Sequence, residues 1–253
     1  MRRLDYANLS DEIQKWIKSY VNSAKAQGVI VGLSGGIDSA VTASLCVNAI
    51  GKDQVIGLGL PCESISQDME DASLVADILG IEFEIIDLTS VYHEFLSTAN
   101  NKNQSNQLSR ANLKPRIRMM ALYFIGQTKG KYLVAGTGNR AELAIGYFTK
   151  YGDGGVDFEP LGGLYKSEVR NIAKILKVPK KIINKPPSPG LWVGQTDEGE
   201  IGMSYDTIDE ILYRIDYQLS FEGLNKNEVE KVKNMMKSAE HKLKMPPFYQ
   251  TKK

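Results

Sequence analysis

The sequence predicts an α/β fold: a doubly wound, mostly parallel sheet with helices on both faces. Three observations lead there. Apolar runs of strand length at residues 29–33, 54–60, 81–87 and 132–135 alternate with stretches of helical periodicity, the pattern of parallel strands joined by crossover helices. The first run ends in Ser34-Gly35-Gly36 and passes directly into a helical pattern, the strand–turn–helix unit from which such sheets are wound. No internal repeat or shift in composition divides the 253 residues. Residues 1–253 are therefore expected to form one domain, with room for a helical appendage.

Taken in order, Leu9, Ile13, Trp16, Ile17, Tyr20 and Ala24 recur at helical spacing and predict an amphipathic helix before the first strand. Residues 41–50 read as a helix stopped by Gly51. The second strand, 54–60, is closed by Pro61, and a helix over 68–79 ends at Gly80. A third strand at 81–87 leads into a short helix at 88–96. Residues 100–107, NNKNQSNQ, are polar and aperiodic, either a solvated loop or a segment that orders with substrate. A helix over 114–127 precedes the fourth strand. Residues 177–202 contain Pro179, Pro186, Pro187 and Pro189 with Gly190, Gly194, Gly199 and Gly202. That forbids a continuous helix and suggests a mobile lid. Helical patterns at 206–219 and 225–242 finish the chain.

Composition narrows the function. Hydrophobic residues make up 42% and charged residues 24%, ordinary for a globular protein. A net charge of +1 supplies no field for nucleic acid or a membrane surface. No apolar stretch approaches a membrane span, and the start, MRRLDYANLSDEIQKW, lacks a signal-peptide core. A cytoplasmic location with neither nucleic acid nor membrane as partner is expected. Cys46 reads as a small buried hydrophobe, and Cys62 has no visible base to make it a nucleophile. His93 and His241 are too few and too far apart for a zinc site.

The most informative segment is VIVGLSGGIDSA at residues 29–40. A strand, a glycine turn and a helix N-terminus together make an anion site, with backbone N–H groups pointing outward and the helix dipole favouring phosphate. Gly35 and Gly36 let the backbone approach an anion, and Ser34 and Ser39 add hydroxyls. Asp38 would repel phosphate unless a cation intervened, which points to Mg²⁺ between a carboxylate and phosphate oxygens. The segment is neither GxxxxGK[ST], since Asp38 stands where the lysine belongs, nor GxGxxG.

The string resembles the SGGxDS signature of the ATP pyrophosphatases, which cleave ATP to AMP and pyrophosphate. Further motifs follow in order: NLKPRIRM at 112–119, GTGNRAE at 136–142, FTKYGDGGVD at 148–157, GGLYKSE around Lys166, PPS ending at Ser188, and HKLKMPP at 241–247. Together they are similar to the ammonia-dependent NAD⁺ synthetases over nearly the whole chain. The resemblance implies an adenine nucleotide alpha hydrolase-like, Rossmann-like fold and a homodimer. It also implies a reaction: ATP adenylates the nicotinate carboxylate of deamido-NAD⁺, ammonia displaces AMP, and NAD⁺, AMP and pyrophosphate are released. ATP is then co-substrate and Mg²⁺ the cofactor.

By the same resemblance, Gly32, Leu33, Ser34, Gly35, Gly36, Ile37, Asp38 and Ser39 bind ATP, with Thr137 (through hydroxyl or backbone), Lys166 and Ser188. Asp38 and Glu142 hold the metal, and Lys166 is a point charge for the departing phosphates. Deamido-NAD⁺ falls to Arg116, Lys150, Asp157, His241 and Lys242. Arg116 suits a pyrophosphate or ribose contact through its planar fork. Asp157, grouped with Asp38, Glu142 and Lys166 as catalytic, would select the cationic ring and orient ammonium. Each has a plainer alternative: Glu142 a solvated acid in a first turn, Lys166 an exposed helix opener, Arg116 part of a basic face, His241 and Lys242 cations at a helix end.

Other users of this loop compete, namely synthetases for GMP or asparagine and tRNA-modifying adenylating enzymes. About thirty residues ahead of the loop leave no room for a glutaminase, and balanced charge disfavours RNA. FTKYGDGG is the discriminating segment. A non-catalytic nucleotide-binding module would bind ATP without releasing pyrophosphate, and the paired acids Asp38 and Glu142 speak against it.

Overall fold

The computed structural model describes residues 2, 4–99, 105–188 and 196–251. Helix α1 (Tyr6–Ser23) is capped by Asp5, whose carboxylate accepts from the Ala7 and Asn8 N–H groups. Strand β1 (Gly28–Gly32) leads into α2 (Ile37–Ile50), and β2 (Val55–Gly59) into α3 (Ser66–Leu79). Next come β3 (Glu82–Ile85), α4 (Thr89–Ala99), the long α5 (Gln107–Lys129) and β4 (Tyr132–Ala135). Beyond the sheet lie α6 (Arg140–Ile145), α7 (Lys166–Ile175), α8 (Lys180–Ile183), α9 (Asp197–Ile201), α10 (Tyr205–Asp216) and α11 (Lys226–Leu243).

The four strands pair parallel in the order β3-β2-β1-β4, with Val29 opposite both Val55 and Leu133. Alternation along β1 builds two cores. Val29, Val31 and Leu33 pack with Ile17 of α1, Val41 and Leu45 of α2, and Val169 and Ile172 of α7. Ile30 joins Ile56, Leu58 and Val134 against Tyr92 and Leu96 of α4 and Ile117 of α5. Helices therefore cover both faces, as the sequence predicts. A third cluster packs Ala141, Ala144 and Ile145 of α6 on Ile208, Ile211 and Leu212 of α10 and on Val229 and Val232 of α11. The two C-terminal helices thus hold α6 in place. No helix among the described residues is long and apolar enough to cross a membrane.

The chain steps from β1 to β2 to β3 in one direction, whereas β4 lies on the other side of β1. This reversal separates the connections that leave β1 and β4 and opens a crevice beyond their carboxyl ends. Residues 32–39 and 136–139 border it.

Several boundaries differ from expectation. Helix α2 begins at Ile37, so Asp38 and Ser39 lie in its first turn rather than in the loop. Strand β3 is shorter than 81–87; it is an edge strand whose Glu82 and Glu84 carry charge, a usual guard against edge pairing. Helix α5 starts seven residues before the expected 114, because Asn106 caps it by accepting from Ser109 N–H, and it runs through Pro115. Gln107 is thus helical, while residues 100–104 of the polar stretch lie outside the described residues. The expected lid contains two short helices, α8 and α9, on its flanks; its residues 189–195 lie outside the described residues.

Candidate active site

The anion loop is assembled by its own side chains. Ser39 Oγ donates to Gly36 O at 3.0 Å and accepts from Ser34 N–H at 3.2 Å, and Gly36 N–H donates to Ser34 Oγ at 3.2 Å. Gly36 is the N-cap of α2 and offers no side-chain cap, so among the described residues no side chain caps the first-turn N–H groups at the crevice. Gly35 has φ +74° and touches α3 so closely that an added Cβ would run into the Asp68 carbonyl. Gly35→Ala should cost about 1–3 kcal/mol and weaken ATP binding, since loop or helix must retreat. Thermal melts and an ATP titration measure both; unchanged affinity would show that the loop geometry is not what binds phosphate.

Across the crevice, Thr42 Oγ1 donates to Gly136 O at 3.3 Å, and Asn139 begins a capping box: its Oδ1 accepts from Glu142 N–H, and Glu142 Oε2 accepts from Asn139 N–H, each at 3.1 Å. The same Asn139, fully buried, donates through Nδ2 to Asp38 Oδ1 at 3.1 Å. One side chain thereby registers both acids. Lys166, at the first position of α7 and 1% exposed, completes the centre, its Nζ lying 2.6 Å from Asp38 Oδ2 and 3.2 Å from Glu142 Oε1. Burial alone would lower the Lys166 pKa, but the two acids outweigh it and hold the ammonium above its ordinary range. Glu142 is pushed up to about 7, first by burial and then by Asp38, with Lys166 pulling against them. Neither acid nor lysine is the exposed residue that the plainer readings describe.

Of the remaining residues assigned to ATP, Thr137 is half-buried in the turn after β4, and Ser188 is exposed beyond α8. Lys185, three residues earlier, reaches Asp68 Oδ1 at 2.8 Å and Asp71 Oδ2 at 2.6 Å, with Gly35 O at 3.4 Å. The segment that carries Ser188 is therefore anchored beside the anion loop.

Four of the five dinucleotide residues gather. Arg116, exposed on α5, donates from Nε to Lys150 O at 3.4 Å, Lys150 Nζ donates to His241 O, and Lys242 Nζ donates to Gly146 O and Phe148 O at 2.7 and 2.8 Å. The turn at 152–155 is closed by Thr149, which accepts from Gly152 N–H at 2.9 Å and donates its N–H to Asp153 Oδ1 at 3.0 Å. Burial raises the Asp153 carboxyl and lowers the Lys242 amine. Asp157 is engaged differently: its carboxylate accepts from Val134 N–H at 2.8 Å and from the Tyr123 hydroxyl at 3.2 Å, at the end of β4. Arg118 braces the loop after β2 through Leu60 O and Ser64 Oγ. Cys62 is buried with its thiol pushed up by that burial, as expected of an inert residue.

Sequence reasoning missed Asn139, Tyr205, Asp197 and Glu159. Asn139 had a signal, the N-x-x-E spacing of a capping box. The Tyr205 hydroxyl lies 2.8 Å from Asp197 and 3.2 Å from Glu142 and can donate to either, a pairing that leaves no local trace. Glu159 accepts from Gly138 N–H at 3.0 Å, packs where a Cβ on Gly136 would stand, and is pushed up to about 8 by burial.

The chain is similar to known proteins over nearly its whole length. The NAD synthase family model matches residues 9–246. An NH3-dependent NAD⁺ synthetase of Thermococcus sibiricus is 46% identical, over 97% of this chain and 98% of the relative. One from Archaeoglobus fulgidus is 44% identical, over 96% and 97%. Among solved structures, an NMN synthetase of Francisella tularensis superposes with a TM-score of 0.90 at 35% identity, covering 98% of this chain and 100% of that one. The NH3-dependent NAD synthetase of Campylobacter jejuni, solved with a nitrate ion, gives 0.84 at 32% identity with the same coverage. A buried acid–lysine centre beside an uncapped helix N-terminus and full-length likeness to these enzymes lead to one assignment: the chain belongs to the NAD synthase family.

Proposed function

We propose that this chain amidates deamido-NAD⁺ with ammonia, at the expense of ATP, as a Mg²⁺-dependent cytoplasmic homodimer. It is a carbon–nitrogen ligase. The carrying observation is the convergence of Asp38 and Glu142 on one cationic point, 2.6 and 3.2 Å away, beside the open N-terminus of α2. A carboxylate does not react with ammonia because its oxygen leaves poorly, so AMP must first be placed on it. Adenylation moves negative charge onto pyrophosphate, and N–H donors and cations must meet that charge. The N–H groups of residues 37–39 and the Lys166 ammonium supply it from the protein. Asp38 and Glu142 are hard carboxylates of the kind that suits Mg²⁺ and would hold it beside the Lys166 ammonium. Bound there, Mg²⁺ would offset phosphate charge. Arg116, Lys150, His241 and Lys242 line the place where an anionic dinucleotide would lie. Asp157, held by the Val134 N–H and the Tyr123 hydroxyl, would select the cationic ring and orient ammonium.

The test is incubation with ATP, Mg²⁺, deamido-NAD⁺ and ammonium, reading NAD⁺ and AMP in equal amounts. Glutamine in place of ammonium should give no product. Nicotinate mononucleotide as substrate checks the mononucleotide alternative that the Francisella likeness raises. ATP binding with no pyrophosphate release would overturn the reading.

The dimer is supported by one stripe of α5. Met120 and Phe124, one turn apart, are 57 and 67% exposed, on the face that also carries Arg116, whereas Leu122, Tyr123 and Ile125 pack inward. Such a stripe suits an isologous contact. Phe124→Glu should convert a sedimenting dimer to monomer at micromolar concentration and weaken dinucleotide binding with it. A wild-type monomer that turns over normally would sink this part.

A further inference from the structure

Glu142 is gripped from a side that the phosphate chemistry does not explain. Its Oε2 is fixed by Asn139 N–H at 3.1 Å. On Oε1, Lys166 sits at 3.2 Å but makes its shorter contact, 2.6 Å, to Asp38. The other neighbour of Oε1 is the hydroxyl of Tyr205, the first residue of α10, at 3.2 Å. Tyr205 is fully buried, its ring under the Lys166 ammonium at 4.8 Å; its hydroxyl has one proton to give, with Glu142 Oε1 at 3.2 Å and Asp197 Oδ2 at 2.8 Å both in reach. Asp197 opens α9 and is 5% exposed, and its other oxygen has no partner among the described residues. Its backbone N–H donates to Pro187 O at 3.1 Å, beside Ser188.

With Oε1 and Oε2 each held, the plane of the carboxylate is fixed as well as its position. Helix α6 has only six residues and could not do this alone. Ligating carboxylates depend on such outer partners, whose loss costs about 10–100-fold in metal affinity. We propose that Tyr205 is the positioning residue for Glu142, its hydroxyl donating to Oε1 in competition with Asp197, so that the carboxylate is in place before a divalent cation arrives with nucleotide. This rests on the reading of Glu142 as a metal ligand.

The test is Mn²⁺ binding, followed by electron paramagnetic resonance, to the full chain with a non-hydrolysable ATP analogue. Wild type is compared with Glu142→Gln, Tyr205→Phe, Asp197→Asn and the Tyr205→Phe/Asp197→Asn pair. Phenylalanine keeps the buried ring, so Tyr205→Phe removes the hydroxyl without opening a cavity. Tyr205→Phe should weaken Mn²⁺ about tenfold and leave metal-free binding of the analogue unchanged, which a purely structural role would not do. Asp197→Asn gives the phenol oxygen a donor and leaves the hydroxyl proton to Glu142, so its Mn²⁺ affinity should be at least that of wild type. The double variant should match Tyr205→Phe, as coupled residues require. Loss of Mn²⁺ in Glu142→Gln with wild-type affinity in Tyr205→Phe would overturn the positioning role alone. Weaker Mn²⁺ binding in Asp197→Asn alone would overturn the competition for that proton. Wild-type Mn²⁺ affinity in Glu142→Gln would overturn the metal reading beneath both.

Discussion

Lys166→Met should abolish turnover and cost about 3 kcal/mol of stability, or about 10 °C in melting temperature for a chain of this size. The side chain is 2% exposed and sits between Asp38 and Glu142, which are 18 and 16% exposed. Methionine fills much of the same space but leaves two mostly buried carboxylates facing each other without a cation. Breaking a buried pair from one side is far costlier than never having built it, and the little water left to the acids sets the estimate at the low end. Turnover falls for a separate reason, because the charge that meets departing pyrophosphate is gone.

The stability loss should depend on pH in a stated direction. The Glu142 carboxyl is raised from 4.5 to about 7, chiefly by burial, with Lys166 pulling it back down. A carboxyl raised on folding binds its proton more tightly in the native state. Its contribution is therefore full below the unfolded value and is lost as pH rises through about 7. Without Lys166 the folded value climbs further, and the loss extends to higher pH. Melts of parent and variant in EDTA at about pH 5 and about pH 8.5 should show a deficit that grows with pH. An equal deficit at both would mean that the lysine acts through the packing of its stem.

What the sequence made legible was local. The anion loop is contiguous, and its glycines, hydroxyls and following helix stand within one short string, so its chemistry could be reasoned before any contact was known. Strand and helix alternation fixed the parallel sheet for the same reason. Lys166 is different: an N1 lysine after a glycine turn looks solvated, and only the docking of α7 against α2 and α10 buries it. Tyr205 reads as an ordinary opener of an apolar helix face; its polar role comes from Asp197 and from Glu142, 63 residues away. The helix expected over 114–127 starts seven residues earlier, where Asn106 caps it, and it runs through Pro115. Asp157 was legible as a polar residue after a glycine turn, but not its engagement with the Val134 N–H, since register across β4 is a tertiary fact.

Asp38→Asn and Glu142→Gln should each lower turnover at least about a thousandfold, since each removes a charge on which the metal and the phosphates depend. Their effects on stability should have opposite signs. At position 38 one oxygen accepts from Lys166 at 2.6 Å and the other from Asn139 Nδ2 at 3.1 Å. An amide can serve only one of them, and its NH₂ would then face a second donor. Asn139 cannot flip to help, because its Oδ1 already accepts from Glu142 N–H. Asp38→Asn therefore leaves a buried donor clash and should cost about 1–3 kcal/mol. At position 142 an amide oxygen can keep the Asn139 N–H, while its NH₂ donates to the Tyr205 hydroxyl, which then donates to Asp197. That NH₂ also faces Lys166 Nζ, 3.2 Å from the Oε1 position, as the protonated carboxyl of the parent would; Lys166 retains its shorter contact to Asp38. The penalty for ionising a buried carboxyl at about pH 8 disappears, so Glu142→Gln should gain about 1 kcal/mol there and nothing at about pH 4, where the parent is protonated. Paired melts in EDTA, with NAD⁺ formation measured alongside, decide this. Two variants destabilised alike would show that the site was not built around unequal acids, and full activity in either would remove it from the metal centre.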